Sequence, residues 1–214
     1  MKALILGATG ATGKDLLQVL LEDQTYSQVE IFVRRDPDIN HPKLRAHIID
    51  FDKPQQWAHL VKGDVLFSCL GTTLKAAGSK DAQMKVDYQY QFEFARAAQE
   101  NNVHTYVLVS ASMASSKSVF FYAKMKGMLE DAVKRLGFPK LIIFNPPTLI
   151  RPNSDRKGEL FATKFIAFLN SFGLFTSQKP LKTSTLACAM VNAVKTFDDG
   201  IFSLDSKEII RPGK

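Results

Sequence analysis

The chain has 214 residues, 45% hydrophobic and 23% charged, which suits one globular domain with a single buried core and excludes a disordered chain. Its net charge of +7 comes from Lys and Arg scattered without a basic run longer than two or a nucleic-acid motif, so no nucleic-acid partner is expected. No apolar run approaches the roughly 18 residues of a membrane span, and the short apolar N-terminus does not read as a signal peptide. Two distant cysteines, Cys69 and Cys188, predict free thiols in a reducing compartment, and hence a cytoplasmic location. Four histidines without metal-ligand spacing predict no metal site.

In chain order, Lys2–Leu6 predicts a strand that stops at Gly7, and Leu16, Leu17, Leu20 and Leu21 predict a helix beginning just after Gly13. Between them lies Gly7-Ala-Thr-Gly10-Ala-Thr-Gly13. A glycine turn from strand into helix leaves backbone N–H groups and the positive helix end facing a docked anion. Gly7 makes the turn, Gly10 admits a pyrophosphate, and Gly13 lets helix and strand pack closely. An NTPase phosphate loop is excluded, because five residues separate Gly7 from Gly13 and Asp15, not Ser or Thr, follows Lys14. A turn without a ligand is the plainer alternative, but three glycines cost stability unless they are used.

The second strand, Val29–Val33, ends in Arg34 and Arg35. A ribose 2′-hydroxyl calls for a carboxylate here and a 2′-phosphate for Arg, so the absence of acid before Asp36 favours NADP(H) over NAD(H). The third strand, Arg45–Ile49, precedes Asp50 and Phe51, a carboxylate and a ring placed to hold an adenine. The fourth, Val65–Leu70, runs into Gly71-Thr72-Thr73, small residues that let a cofactor backbone pass.

A helix over Lys80 to Asn101 places Val86, Tyr90, Phe94 and Ala97 on one face. Tyr88 and Phe92 make a second stripe, either wider core or a helix face for a homodimer. The fifth strand, Thr105–Val109, is followed by Ser110, Ala111 and Ser112, and then by a helix over Val119 to Leu136. That helix carries Tyr122 and Lys126 at i,i+4 spacing, on one face. A phenol beside an ammonium has its pKa lowered toward the range useful for proton transfer, and a serine hydroxyl can hold the reacting oxygen. Tyr-x-x-x-Lys is common by chance; its place after the fifth strand gives it meaning.

The sixth strand, Leu141–Phe144, ends in Asn145-Pro146-Pro147. A loop from Arg151 to Lys157, helices over Leu160–Leu169 and Ser184–Phe197, and a strand or hairpin over Phe202–Ile210 complete the chain. Arg151, Arg156, Lys157 and Lys164 read as a solvated basic stretch, with an anionic substrate as the alternative. Alternating strands and helices predict an α/β fold, a doubly wound parallel sheet of the Rossmann type with a small C-terminal cap. Residues 1–214 form a single domain in this reading, with 146–214 contributing the substrate-side cap.

GATGATG, FVRR, SCLGTT with a Lys- and Gly-containing loop, VLVSAS, and Tyr122-x-x-x-Lys126 followed by Gly-x-x-Glu resemble atypical short-chain dehydrogenase/reductases. The similarity is greatest to the branch of the HIV Tat-interacting-protein-like oxidoreductases. It implies cofactor contacts from Gly7, Thr9, Gly10, Ala11, Thr12, Gly13, Arg34, Arg35, Leu70 and Gly71, with Tyr122 and Lys126 at the nicotinamide ribose. Pro147 falls where that family positions the nicotinamide, although relatives tend to carry Arg-Pro-Gly where this chain has Asn145-Pro146-Pro147. Relatives also carry paired serines where Ala111 separates Ser110 from Ser112, so either serine is a candidate.

The functions that follow are an NADP(H)-dependent oxidoreductase acting on a carbonyl or alcohol, or a cofactor-binding regulator that reports redox state to a protein partner. A sugar-nucleotide epimerase is disfavoured by the short C-terminal part.

Overall fold

A computed structural model of the chain describes residues 1–150 and 180–210. Its centre is a seven-stranded, all-parallel sheet. The strands are β1 (Lys2–Leu6), β2 (Gln28–Val33), β3 (Leu44–Ile48), β4 (Val65–Ser68), β5 (Thr105–Val109), β6 (Lys140–Phe144) and, after a two-stranded ladder of β7 (Leu149–Ile150) with β8 (Leu181–Lys182), β9 (Gly200–Leu204). The order is β3-β2-β1-β4-β5-β6-β9, so the chain winds outward from β1 and then returns to β1's other side as β4. That reversal opens a crevice beyond the ends of β1 and β4, where a doubly wound sheet binds its ligand.

The central strands β1, β4, β5 and β6 are buried on both faces and so are mostly apolar, whereas the edge strand β3 carries Arg45 and His47. In β1, Ala3 and Ile5 face one layer, while Leu4 and Leu6 face the other. The first layer is closed by Leu16, Leu17, Leu20 and Leu21 of α1 (Ala11–Glu22) with Leu186, Met190, Val191 and Val194 of α7 (Thr183–Thr196). The second is closed by Trp57, by Phe94 and Ala98 of α5 (Tyr90–Glu100), and by Leu129 and Val133 of α6 (Phe121–Lys134). Each fully buried large aliphatic or aromatic side chain contributes about 1.5–3 kcal/mol, so the two layers carry the stability of the sheet.

The remaining α-helices among the described residues are short: α2 (Pro54–Trp57), α3 (Leu74–Ala77), α4 (Lys80–Met84) and α8 (Ser206–Ile210). Thr73 and Ser79 start α3 and α4 by accepting the amides of Ala76 and Ala82, each at 3.1 Å. Between α4 and α5 the helix is wound as a π turn over Lys85–Gln89. Among the described residues, no helix is long and apolar enough to cross a membrane.

The predicted strands and long helices are present, with ends moved by one or two residues, and two expectations are corrected. The strand or hairpin expected over Phe202–Ile210 is a strand only to Leu204 and then becomes α8. Asp205 accepts the Lys207 amide at 2.8 Å while Glu208 accepts the Asp205 amide at 2.8 Å, a reciprocal cap that starts a helix. Of the stretch expected as a substrate-side cap, residues 183–204 instead supply α7 and the edge strand β9. The helix expected over Leu160–Leu169 and the basic residues Arg151, Arg156, Lys157 and Lys164 lie outside the described residues.

Candidate active site

The turn after β1 is built by close approach. Gly7 has φ +89°, and a Cβ there would lie 2.6 Å from the Leu70 amide nitrogen. A Cβ on Gly13 would lie 2.1 Å from the Gly7 carbonyl oxygen. The glycines therefore bring α1 onto β1 and set β1's end against that of β4. Gly10 caps α1 without a side-chain hydrogen bond, and no acidic residue occupies the first turn. The helix start thus presents backbone N–H groups and its positive end, which fits a diphosphate.

Next to it is a cavity of about 360 Å³. Gly10, Ala11 and Thr12 line it from α1, Leu70 and Gly71 from the end of β4, and Pro147 from the end of β6. Ser110 and Ser112 reach it after β5, and Tyr122 and Lys126 reach it from α6. One cavity therefore gathers most of the predicted site residues. Gly7 and Gly13 lie behind it in the turn.

Five other predicted contacts lie elsewhere. Thr9 lines a second hollow, of about 420 Å³, with Lys14 and Pro37. Arg34 and Arg35 are exposed at the end of β2. Asp50 pairs with Lys53 at 3.2 Å. Phe51 is 7% exposed, with its ring tilted against Tyr90 and Phe94.

The two serines differ. The Ser110 hydroxyl donates to Glu130 at 2.5 Å, and Asn145 donates to the same carboxylate oxygen at 2.7 Å. Ser112 is anchored by its amide on the Pro146 carbonyl at 3.0 Å, and among the described residues its hydroxyl has no hydrogen-bond partner. The loop that carries it lies against α6 at Gly127, where a Cβ would meet the Ser115 backbone at 2.1 Å.

Lys126 is buried and faces Asp87 of the π turn, with Nζ 3.6 Å from Oδ1. The other Asp87 oxygen accepts the Thr72 amide at 2.8 Å. Burial pushes the Asp87 carboxyl up and the Lys126 ammonium down, each partly offset by its partner. Burial also raises Tyr122, and the Asp87 charge adds to that. The expectation that Lys126 lowers the Tyr122 pKa is therefore corrected. Cys69, in the same wall, is pushed up to about 12 by burial, which leaves it a neutral thiol.

Asp87 carries no expectation from the sequence, and Glu130 enters there only as the Glu of Gly-x-x-Glu, with no role. A signal for Asp87 was present in the helix, where Gln83, Asp87 and Gln91 recur every four residues and are all buried. Gln83 donates to the Thr72 carbonyl at 3.1 Å, and Gln91 accepts from Ser68 at 2.8 Å. A polar stripe at helical spacing beside an apolar one marks a polar seam against the end of β4. Tyr88 and Phe92, the proposed dimer stripe, stack on each other at 6.1 Å and pack partly against the core.

Fold and site together define a Rossmann-type dinucleotide-binding protein. An NAD(P)H-binding family model matches residues 7–137. Protein HTATIP2 of Rattus norvegicus is 32% identical over 98% of this chain and 88% of its own. Protein FMP52-1, mitochondrial, of Scheffersomyces stipitis is 32% identical over 94% and 91%. Protein FMP52, mitochondrial, of Meyerozyma guilliermondii is 38% identical over 70% of this chain and 66% of that one.

The chain belongs to the NAD(P)H-binding family, in the atypical short-chain dehydrogenase/reductase branch of HTATIP2 and FMP52. The fold agrees with the oxidoreductase ylbE from Lactococcus lactis, at TM-score 0.67 and 19% identity over 95% of this chain and 90% of that one. It agrees likewise with the Bordetella bronchiseptica enzyme WbmH in complex with NAD+, at TM-score 0.72 and 18% identity over 95% and 74%. The relatives also correct the cytoplasmic expectation, since the fungal proteins are named mitochondrial and point there. A low cysteine count reports a reducing compartment without saying which one.

Proposed function

We propose that the chain is an NADP(H)-dependent oxidoreductase that interconverts a carbonyl and an alcohol, with Tyr122 as general acid and base. The observation that carries this reading is the convergence of Tyr122, Lys126 and Ser112 on one cavity whose opposite wall is the glycine turn. Gly10, Ala11 and Thr12 would hold the diphosphate on their backbone amides, and Leu70 and Gly71 would flank the dinucleotide. A bound nicotinamide supplies a hydride to the carbonyl carbon. The Ser112 hydroxyl donates a hydrogen bond to the carbonyl oxygen, and Tyr122 passes its proton to that oxygen as negative charge develops there. Pro146 and Pro147 line one side of the cavity with apolar rings.

Arg34 and Arg35 support the preference for a 2′-phosphate, as exposed guanidinium groups at the end of β2 with no carboxylate before Asp36. Titration with NADPH and NADH side by side tests the reading. NADPH binds more tightly, and Arg34→Ala with Arg35→Ala weakens NADPH about 10–100-fold while sparing NADH, as loss of charge-assisted hydrogen bonds requires. Tighter binding of NADH, or no binding of either, contradicts it.

A further inference from the structure

We propose that Asp87 cancels the charge of Lys126 and thereby poises Tyr122 as a proton donor, biasing the site toward carbonyl reduction. The inference rests on the reading of Tyr122 as the acid and base. It starts from a placement that a helix alone would not give. The π turn at Lys85–Gln89 sets Asp87, 1% exposed, against the end of β4 and opposite α6. Single π turns are uncommon and concentrate at functional sites.

One Asp87 oxygen is fixed by the Thr72 amide, and Gln91 donates to the Asp87 carbonyl at 2.7 Å. The other oxygen, Oδ1, is buried and has no hydrogen-bond partner among the described residues; Lys126 at 3.6 Å is its ion pair. A fully buried carboxylate left at ion-pair distance, short of a hydrogen bond, acts through its field more than through packing.

The consequence for Tyr122 follows from the signs. An ammonium with no counter-ion stabilises the phenolate and makes Tyr122 a base, which suits alcohol oxidation. A carboxylate beside that ammonium removes most of the benefit and keeps the phenol protonated, which suits donation to a carbonyl oxygen. The other charged or titratable groups near the pair act in the same direction or not at all. Glu130, one turn along α6, adds negative charge beside Lys126 and is itself held by Ser110 and Asn145. Cys69, whose thiol is pushed up to about 12 by desolvation, is neutral. From α4, Lys80 lies over the ring of Phe121, 5.5 Å from its centroid, and from the π turn Lys85 is engaged by Asp52 at 2.7 Å.

The test needs neither substrate nor cofactor. The full chain is labelled at tyrosine Cζ with carbon-13, its five tyrosines are titrated by NMR, and Tyr122 is assigned by its loss in Tyr122→Phe. In the unsubstituted chain Tyr122 stays neutral beyond pH of about 10, where an exposed tyrosine is half ionised. Asp87→Asn brings its midpoint down by about one unit or more, a tenfold change in the ionisation constant, while the other four signals stay in place. Adding Lys126→Met to Asp87→Asn reverses that lowering, because the freed charge is gone. Asp87→Ser carries the same expectation should the Asn variant fail to fold. An unmoved Tyr122 in a folded Asp87 variant overturns the proposal, as does a lowering that survives Lys126→Met. Failure of Tyr122 as the catalytic acid would appear separately, in turnover by Tyr122→Phe, and leaves this titration unchanged.

Discussion

Ser110 and Glu130 are joined by a 2.5 Å hydrogen bond beneath the cavity floor, and that bond separates two serines that the sequence leaves equivalent. With its hydroxyl committed to a buried carboxylate, Ser110 ties the end of β5 to α6. Ser112 keeps its hydroxyl for the cavity. Ser112→Ala is therefore expected to lower kcat about 100-fold or more, the usual cost of losing one donor to a developing oxyanion, with little change in Tm. Ser110→Ala is expected to destabilise by about 1–3 kcal/mol, since Glu130 loses a partner in a buried setting. Urea unfolding beside steady-state kinetics separates the two; the opposite assignment of effects contradicts this division of labour.

Gly127 fixes how closely the Ser112 loop approaches Tyr122. With the Ser115 backbone 2.1 Å from where a Cβ would sit, Gly127→Ala forces loop and helix apart. It is expected to cost about 1–3 kcal/mol of stability, as overpacking does, and to reduce turnover more than dinucleotide binding, because the glycine turn lies on other elements. Calorimetry and a binding titration on the same variant check both parts.

The contact between Asp23, at the end of α1, and Lys195 of α7 gives a pH dependence with a definite sign. The Lys195 hydrogen bond lowers the Asp23 carboxyl to about 2, against about 3.9 in an unfolded chain. A depressed carboxylate pKa contributes stability that is present above the unfolded value and is lost as pH falls through the folded one. Lys195 is 36% exposed, so screening limits the contribution to about 1 kcal/mol. Lys195→Met is expected to be less stable than the unsubstituted chain at pH 6, with the difference shrinking as pH falls below about 4 and gone only below about 2. A difference that stays undiminished between pH about 4 and about 2 rules out this origin.

Local rules made much of the molecule readable. The glycine turn, the apolar strands and the Tyr122–Lys126 spacing each follow from chain geometry over a few residues, and the cavity assembles them. What escaped reading depends on which side of an element meets another. Asp87 sits on a polar stripe that looks like solvent-facing helix until the end of β4 covers it. Burial of the ring, with the Asp87 charge adding to it, reversed the expected direction of the Tyr122 pKa, since i,i+4 spacing within α6 says nothing of burial or of an opposing charge. In α8 the signal was local and still missed: Asp205 and Glu208 form a capping pair at the standard spacing.

The central claim is that Tyr122 transfers the proton in an NADP(H)-dependent carbonyl reaction. NADPH oxidation across a panel of aldehydes and ketones, with the unsubstituted chain and Tyr122→Phe in parallel, tests it most directly. The account predicts turnover of at least one carbonyl class and a loss of about 100-fold or more in Tyr122→Phe, which still binds NADPH. Full turnover by Tyr122→Phe would contradict it.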